Sequence, residues 1–368
     1  MDERILYPGS LHNHLDWSNE RLRDCIIKTE DLIDYAIELG HEVVAITDHE
    51  TVSGAVKAEK YYKKIKEKHP NFKLIQGNEI YLCRNGLNAD NFNKDFDKYY
   101  HFILLARNAE GHKQIRELST RAWKRSYMAR GMRRVPTYYQ DLFDIIGKNK
   151  GNVIGSTACL GGSLPTQLLR WRKSQDTAFY EKICLWIKQM DELFGHGNFF
   201  FELQPSHNKD QIFVNKKLIE LSKEFDIPYI ITTDSHYLKK EDRKIHKAYL
   251  NAQNGDREVD DFYASTYMMN TEEIESYFDY FSENELQVAY QNILKIKNMC
   301  EDFSLLKPLK IPELYWKDYE EDFHSYDFYK EKIPYLEIFY NSEYYGDKKL
   351  VWAIIDGIKR KKDLQCEE

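Results

Sequence analysis

Over about the first 240 residues, short apolar runs alternate with stretches whose apolar positions recur every three to four residues. Residues 10–14 read as a first strand. Thr29 is placed to cap a helix, with Glu30 and Asp31 in its first turn. Leu32, Ile33, Ala36, Ile37 and Leu39 form that helix's apolar face, and Gly40 ends it. Residues 43–47 form an apolar strand, and a helix over about 53–66 follows. The pattern predicts further strands at 73–75, 102–106, 152–155, 199–203 and 229–232, with helical stretches between most of them. Short parallel strands joined by crossover helices point to an α/β barrel.

Two stretches break the alternation. Residues 85–98 are rich in Asn and Asp and read as a surface insertion. Within it, Asp95 and Asp97 are read as solvated. Residues 121–134 carry Arg121, Lys124, Arg125, Arg130, Arg133 and Arg134 without an acid, with Trp123 and Tyr127 among them. Such a run can hold a nucleic-acid backbone with a base stacked on an aromatic ring, or it can be an ordinary solvated face. Past about residue 262 the character changes. A helix over about 283–300 leads into Pro308, Pro312 and an acidic, aromatic-rich stretch, and a last helix covers 348–362. There is no internal repeat.

Composition narrows the class. Of the 368 residues, 42% are hydrophobic and 31% charged, which is globular rather than disordered. A net charge of −7 speaks against a chain that coats DNA with its whole surface, while leaving room for a local basic groove. The six cysteines are scattered with no CxxC pair, against both a disulfide framework and a zinc ribbon. No apolar run approaches the ~20 residues of a membrane helix, and the N-terminus lacks a signal-peptide stretch. The expected setting is a cytoplasm, bacterial or that of a phage-infected host, with no membrane partner.

The chemistry collects at predicted strand ends. His12 and His14 flank one residue, so both imidazoles face one side of a strand. An apolar strand ends in Asp48 and His49. Glu79 follows another, His101 leads the strand at 102–106, Cys159 follows the one at 152–155, and Asp234 and His236 follow the last. Any one could be a buried histidine or a capping aspartate. Together they converge, because strand ends at one barrel face meet in space. Mixed His, Asp, Glu and Cys donors suit Zn²⁺, Mn²⁺ or Fe²⁺. Two such ions can clamp a phosphate and activate a water for in-line attack.

The segments at 11–14, 46–50 with Gly54, 77–79 and 233–237 resemble, in order, the motifs of the polymerase-and-histidinol-phosphatase (PHP) family. The stretches at 101–108 with Gly111, at 156–162, and at 202–204 with Asn215 resemble specifically the PHP domain of bacterial and phage DNA polymerase III alpha subunits. The likeness is strong over about 9–250 and fainter beyond. It implies an irregular (β/α)7 barrel over residues 1–270. Residues 271–368 would then be a mostly helical, incomplete start of the polymerase palm and thumb region. It also implies nine metal ligands: His12, His14, Asp24, His49, Glu79, His101, Cys159, Asp234 and His236. The spacing from Ser18 to Asp24 is longer than in many members. Glu79 would bridge two ions, and Asp48 would orient a ligand or a water, so the catalytic roles fall to Glu79 and Asp48.

The implied function is a metal-dependent phosphoesterase of a replicative nucleotidyltransferase. It would be a 3′–5′ exonuclease that proofreads single-stranded 3′ ends, with two to three divalent ions, zinc or manganese, with iron as a further option. Its partners would be DNA, the remainder of the polymerase and the replisome subunits. Two rivals are a catalytically quiet metal-binding module of the polymerase and a stand-alone PHP phosphatase. The alpha-subunit-like stretches around His101 and Cys159 weigh against the phosphatase, and the full ligand set weighs against the quiet module. The palm's aspartate motif has no counterpart, so this chain alone is not expected to synthesise DNA.

Overall fold

Apolar segments too short for helices become the staves of a curled sheet. β1 (Val43–Ile46), β2 (Lys73–Cys83), β3 (Tyr100–Ala106), β4 (Val153–Ser156), β5 (Phe199–Leu203) and β6 (Tyr229–Ile231) are hydrogen-bonded in that order. The computed structural model describes residues 4–93, 96–129, 132–254, 261–310 and 330–363. β1, β4, β5 and β6 are buried along their whole length, as strands covered on both faces must be.

The segment 10–14 is not the full strand expected. Only Asn13 makes a strand-type bridge, to Ser235. The segment nonetheless joins both edges of the sheet. The amides of Ala45 and Thr47 donate to the carbonyls of Ser10 (3.1 Å) and Asn13 (2.9 Å), beside β1. The amides of His14 and Ser235 donate to the carbonyls of Ser235 (2.9 Å) and His12 (3.3 Å), beyond β6. It is the seventh stave of an irregular (β/α)7 barrel.

The barrel is not all-parallel. β3 runs antiparallel to both β2 and β4, while the pairs β1–β2, β4–β5 and β5–β6 are parallel. The reason is the connection. No crossover helix lies between β2 and β3 among the described residues, so the chain turns back on itself, and a direct return reverses a strand.

Helices cover the outside: α1 (Thr29–Glu38), α2 (Ala55–Lys66), α3 (Ala109–Lys124), α4 (Ser163–Ser174), α5 (Thr177–Phe194), α6 (Lys209–Phe225) and α7 (Arg243–Asn254). Thr29 is the first residue of α1; Lys28 holds the cap position. At α3, Asn108 Oδ1 accepts the amide of Gly111 at 2.9 Å. A Cβ on Gly111 would lie 1.9 Å from the Asn152 carbonyl oxygen, so glycine alone permits this approach. A two-stranded ribbon, Tyr127–Ala129 with Met132–Arg134, follows α3.

The first compact unit runs to Leu306, past residue 270. α8 (Thr271–Tyr277) and α9 (Glu283–Met299) bury Ile274, Tyr290 and Ile293 in the barrel's own core. The second unit, Lys307–Glu368, contains the helix α10 (Tyr345–Asp363) and a small core of Leu336, Val351 and Ile355. Among the described residues, no helix is long and apolar enough to cross a membrane.

Candidate metal centre

The nine residues singled out as ligands lie together at one rim of the barrel. The reversal of β3 explains how His101 joins them. It is near the start of its strand, and on an antiparallel strand the start lies on the rim where the parallel strands end. Asp24 arrives through a pinned loop. Asn19 Oδ1 accepts the amides of Asp24 (3.0 Å) and Cys25 (3.1 Å), and its amide nitrogen donates to the Cys25 carbonyl at 2.8 Å. That staple accommodates the long spacing from Ser18.

The donor atoms fall into abutting groups, each within 4.8 Å: His12, His14 and Asp234; Asp24, Cys25, His49 and His236; His14, His49 and Glu79; Glu79, His101 and Cys159. In the first group the Nε2 atoms of His12 and His14 are 3.0 Å apart, and each is 3.1 Å from Asp234 Oδ1. Donors about 2.0–2.1 Å from a tetrahedral ion would be separated by about 3.3 Å, so this triangle is close to the size an ion requires. In the second, Asp24 lies 3.4 Å from His49 Nε2 and 3.6 Å from His236 Nε2. In the fourth, His101 Nδ1 is 2.6 Å from Glu79 Oε1 and 3.4 Å from Cys159 Sγ. Glu79 Oε2 turns the other way, to His49 Nδ1 and, at 3.5 Å, to His14 Nε2.

His49 Nδ1 and Glu79 Oε2 satisfy one another, but not every atom of the cluster is paired. His49 Nε2, Glu79 Oε1 and Asp234 Oδ1 are buried and lack a hydrogen bond of sound geometry. An unmade hydrogen bond on a buried polar atom is costly. Buried donors brought within 4.8 Å of one another with unsatisfied atoms among them fit divalent transition-metal ions, and all nine residues fit that use. Eight are essentially buried, and His101 keeps 25% of its side chain exposed, so the rim opens there.

Electrostatics agree with a charged cluster out of water. Burial alone would raise Asp24 and Glu79. Facing imidazoles, His49 and His236 for Asp24 and His101 and His49 for Glu79, hold both well below the usual carboxylate range. Burial disfavours charge on His12 and His49, but Asp234 and Glu202 lift the first to about 9, and Asp24 and Glu79 lift the second to about 10. His14 goes the other way, to about 3, through burial and the neighbouring His49 and His236.

A second layer holds the donors. Asp48 does not reach them directly: its Oδ1 accepts the amide of Leu15 (2.6 Å) and the Ser18 hydroxyl (2.8 Å). Ser18 Oγ in turn accepts the His49 amide at 3.1 Å and lies 3.3 Å from His14 Nδ1. Burial raises the Asp48 carboxyl to about 6. His246, near the motifs but outside the expected ligand set, has Nε2 2.6 Å from the Asp24 carbonyl oxygen. Three non-glycine residues with left-handed backbone cluster here: Glu50 (φ 55°), Ala158 (φ 56°) and Asp234 (φ 48°). Such strain persists where surrounding contacts over-determine it.

Glu202 was legible only as part of a family-like stretch, not as a site residue. Its Oε1 lies 2.6 Å from His12 Nδ1 and accepts from Thr232 Oγ1 (2.6 Å) and Gln204 (3.0 Å), while Oε2 accepts from Ser156 Oγ (2.7 Å). The signal available was a lone carboxylate in an otherwise apolar strand. Cys25, which no motif marks out among the scattered cysteines, joins the second donor group.

The basic run divides. Arg125 makes a two-pronged ion pair with Asp141 (2.6 and 3.1 Å) and lies over the Tyr138 ring at 4.1 Å. Arg121 pairs with Glu117 at 2.6 Å and approaches Asp141 at 3.6 Å. The acids come from outside the run, so these two guanidiniums are already neutralised. Lys124 lines a cleft of about 560 Å³ with Arg116 and Trp123. Arg133 is exposed, 6.0 Å over the Trp123 ring. Arg130 lies outside the described residues. Arg134 stands apart, 5.3 Å over the ring of Tyr99.

A barrel whose rim presents imidazoles, carboxylates and a cysteine to abutting donor groups defines a class of protein: one with residues placed to bind divalent metal ions. The chain belongs to the PHP domain family, whose model matches residues 10–206. It is 35% identical over 95% of its length to a DNA-directed DNA polymerase of Bacillus phage SPbeta, and 29% identical over 81% to the DNA polymerase III subunit alpha of Borreliella burgdorferi. It spans only 28% and 24% of those relatives. A solved amidohydrolase from Chromobacterium violaceum aligns over 62% of this chain and 87% of its own at TM-score 0.36 and 13% identity, which carries no inference about this one.

Proposed function

We propose that the cluster holds two to three divalent ions, zinc or manganese with iron as a further option, and hydrolyses phosphodiesters at the 3′ end of single-stranded DNA. The observation that carries this is Glu79, whose two oxygens turn to different donor groups as a bridging carboxylate would. Bound ions would supply Lewis acidity and an activated water. The chain's own residues do the rest. Glu202 fixes the tautomer of His12, Asp48 sets His14 and His49 through Ser18, and partly exposed His101 marks where a phosphate enters. Residues 1–270 act as the PHP domain and 271–368 as the start of a palm and thumb region. DNA, the remainder of a polymerase and replisome subunits are the partners, in a cytoplasm.

The test is digestion of single-stranded DNA labelled at its 5′ end, with Mn²⁺ or Zn²⁺ supplied. Wild-type protein shortens it from the 3′ end, Glu79→Ala abolishes this, and Asp48→Asn weakens it less. The burial of eight ligands favours a second reading, a metal core that only stabilises the barrel. Metal-loaded protein that cleaves neither DNA nor a small chromogenic diester would establish that reading instead.

A further inference from the structure

The loop that delivers Asp24 also carries Arg21, two of whose guanidinium nitrogens are buried without a hydrogen-bond partner. Arg21 is 6% exposed, and neither Nε nor Nη1 has a hydrogen-bond acceptor. Among the described residues no carboxylate lies within ion-pair distance of it. One face is occupied, since its Cζ lies 4.5 Å from the centroid of the Tyr81 ring. Tyr81 is itself part of the rim, with its hydroxyl 3.2 Å from His49 Nδ1 and its ring centroid 4.6 Å from that of His101.

Arg134, near enough to feel the charge of Arg21, repeats the arrangement on a ring close to His101 in the chain. It lies over Tyr99, two residues before that ligand, and its Nε is also buried without a partner. Burial and the neighbouring charge of Arg21 pull its pKa below the ordinary guanidinium value. Two neighbouring like charges, each over an aromatic ring and each with an unused buried donor, are costly unless an anion joins them.

We infer that Arg21 and Arg134 form an anion subsite for a phosphate of the substrate strand that is not the one cleaved. The assignment rests on the phosphodiesterase reading above. Arg21 lies over the Tyr81 ring and belongs to none of the donor groups, so the group it would meet is not the phosphate held at the cluster. The next phosphate along the strand is the charged group that remains. A planar guanidinium with free edges suits it, since two parallel N–H donors match two phosphate oxygens. Glu50 is the rival partner: its buried Oε2 is also without a hydrogen bond, and it is near enough to feel the charge of Arg21.

The test uses two thymidine dinucleotides in which the 3′-bridging oxygen of the internucleotide linkage, the leaving atom in hydrolysis from the 3′ end, is replaced by methylene, so neither can be cleaved. One carries a 5′-phosphate and the other does not. Isothermal titration of the purified protein should show the 5′-phosphate tightening binding by about tenfold or more, the range of one charge-assisted hydrogen bond. Arg21→Gln and, separately, Arg134→Gln should reduce that preference to below about threefold with metal content unchanged. No preference in wild type, or a preference surviving both substitutions, overturns the subsite. If Arg21→Gln unfolds the protein, the role is neutralising Glu50, and a preference kept by Arg134→Gln then removes the subsite altogether. An arginine-dependent preference in a protein that hydrolyses no DNA sinks the nuclease reading and leaves the subsite standing. Hydrolysis without the preference does the reverse.

Discussion

The Glu202 carboxylate lies 2.6 Å from Nδ1 of His12, on the opposite edge of the ring from the Nε2 that faces His14 and Asp234. The contact fixes which nitrogen carries the proton and leaves Nε2 as the donor toward the cluster. Three further donors, from Thr232, Gln204 and Ser156, hold the carboxylate in place. Replacing Glu202 with Gln keeps the shape and removes the charge. We expect metal affinity to fall about 10–100-fold, the usual cost of losing such a partner, with the fold intact by circular dichroism. Unchanged affinity in a competition titration with a chelating dye would mean His12 is not a ligand.

The fourth donor group, Glu79, His101 and Cys159, has its own signature. Burial raises the Cys159 thiol well above its ordinary value, with Asp234 and Glu79 adding to the rise, so an ion bound there must displace a proton. Cys159→Ser should lower metal content by about one ion per chain, and wild-type protein should release a proton on loading that the variant does not. Metal analysis giving equal stoichiometry in both would remove Cys159, Glu79 and His101 as a site.

Strand-end chemistry was readable because apolar runs stop abruptly at Asp48–His49 and Asp234–His236. The helices at 29–38 and 283–299 were readable from their apolar spacing. What escaped depends on partners distant in sequence. Glu202 meets His12 across the barrel, and no local pattern signals that pairing. Arg121 and Arg125 looked free because Asp141 lies outside their run. The reversed β3 could not be told from a parallel strand, because a fully buried apolar run reads alike in either direction. Segment 10–14 has the alternation of a strand, yet its hydrogen bonds are shared between the two edges it closes.

Ala158, immediately before Cys159, has φ 56° and is almost fully buried. Glycine there would relieve about 1 kcal/mol of left-handed strain and lose about 0.8 kcal/mol of buried methyl. Ala158→Gly should therefore be close to neutral in urea unfolding. Ala122→Gly, buried inside α3, loses helix propensity and the methyl together, about 2 kcal/mol. Equal destabilisation of both would show that Ala158 carries no strain.

His41 supplies an acid response independent of the cluster. Its Nε2 lies 3.1 Å from the Met269 carbonyl oxygen, its Nδ1 is buried without a partner, and its ring meets Tyr7 edge-on at 5.4 Å. Burial lowers it to about 4 from the ordinary 6.5, so the folded protein keeps it neutral. The unfolded chain takes up the proton first, so the contribution is fully present above about pH 6.5 and is lost as pH falls from there toward 4. At 1.36 kcal/mol per unit the full effect is about 3 kcal/mol, with about 2 kcal/mol appearing between pH 7.5 and 5. The measurement is urea unfolding at those two pH values in EDTA, for wild type and His41→Gln. Protons taken up by the cluster histidines affect both proteins alike and cancel in the comparison. The variant should be less stable at pH 7.5 yet lose about 2 kcal/mol less on acidification. Parallel losses in the two proteins would mean that His41 is solvated enough to protonate in place.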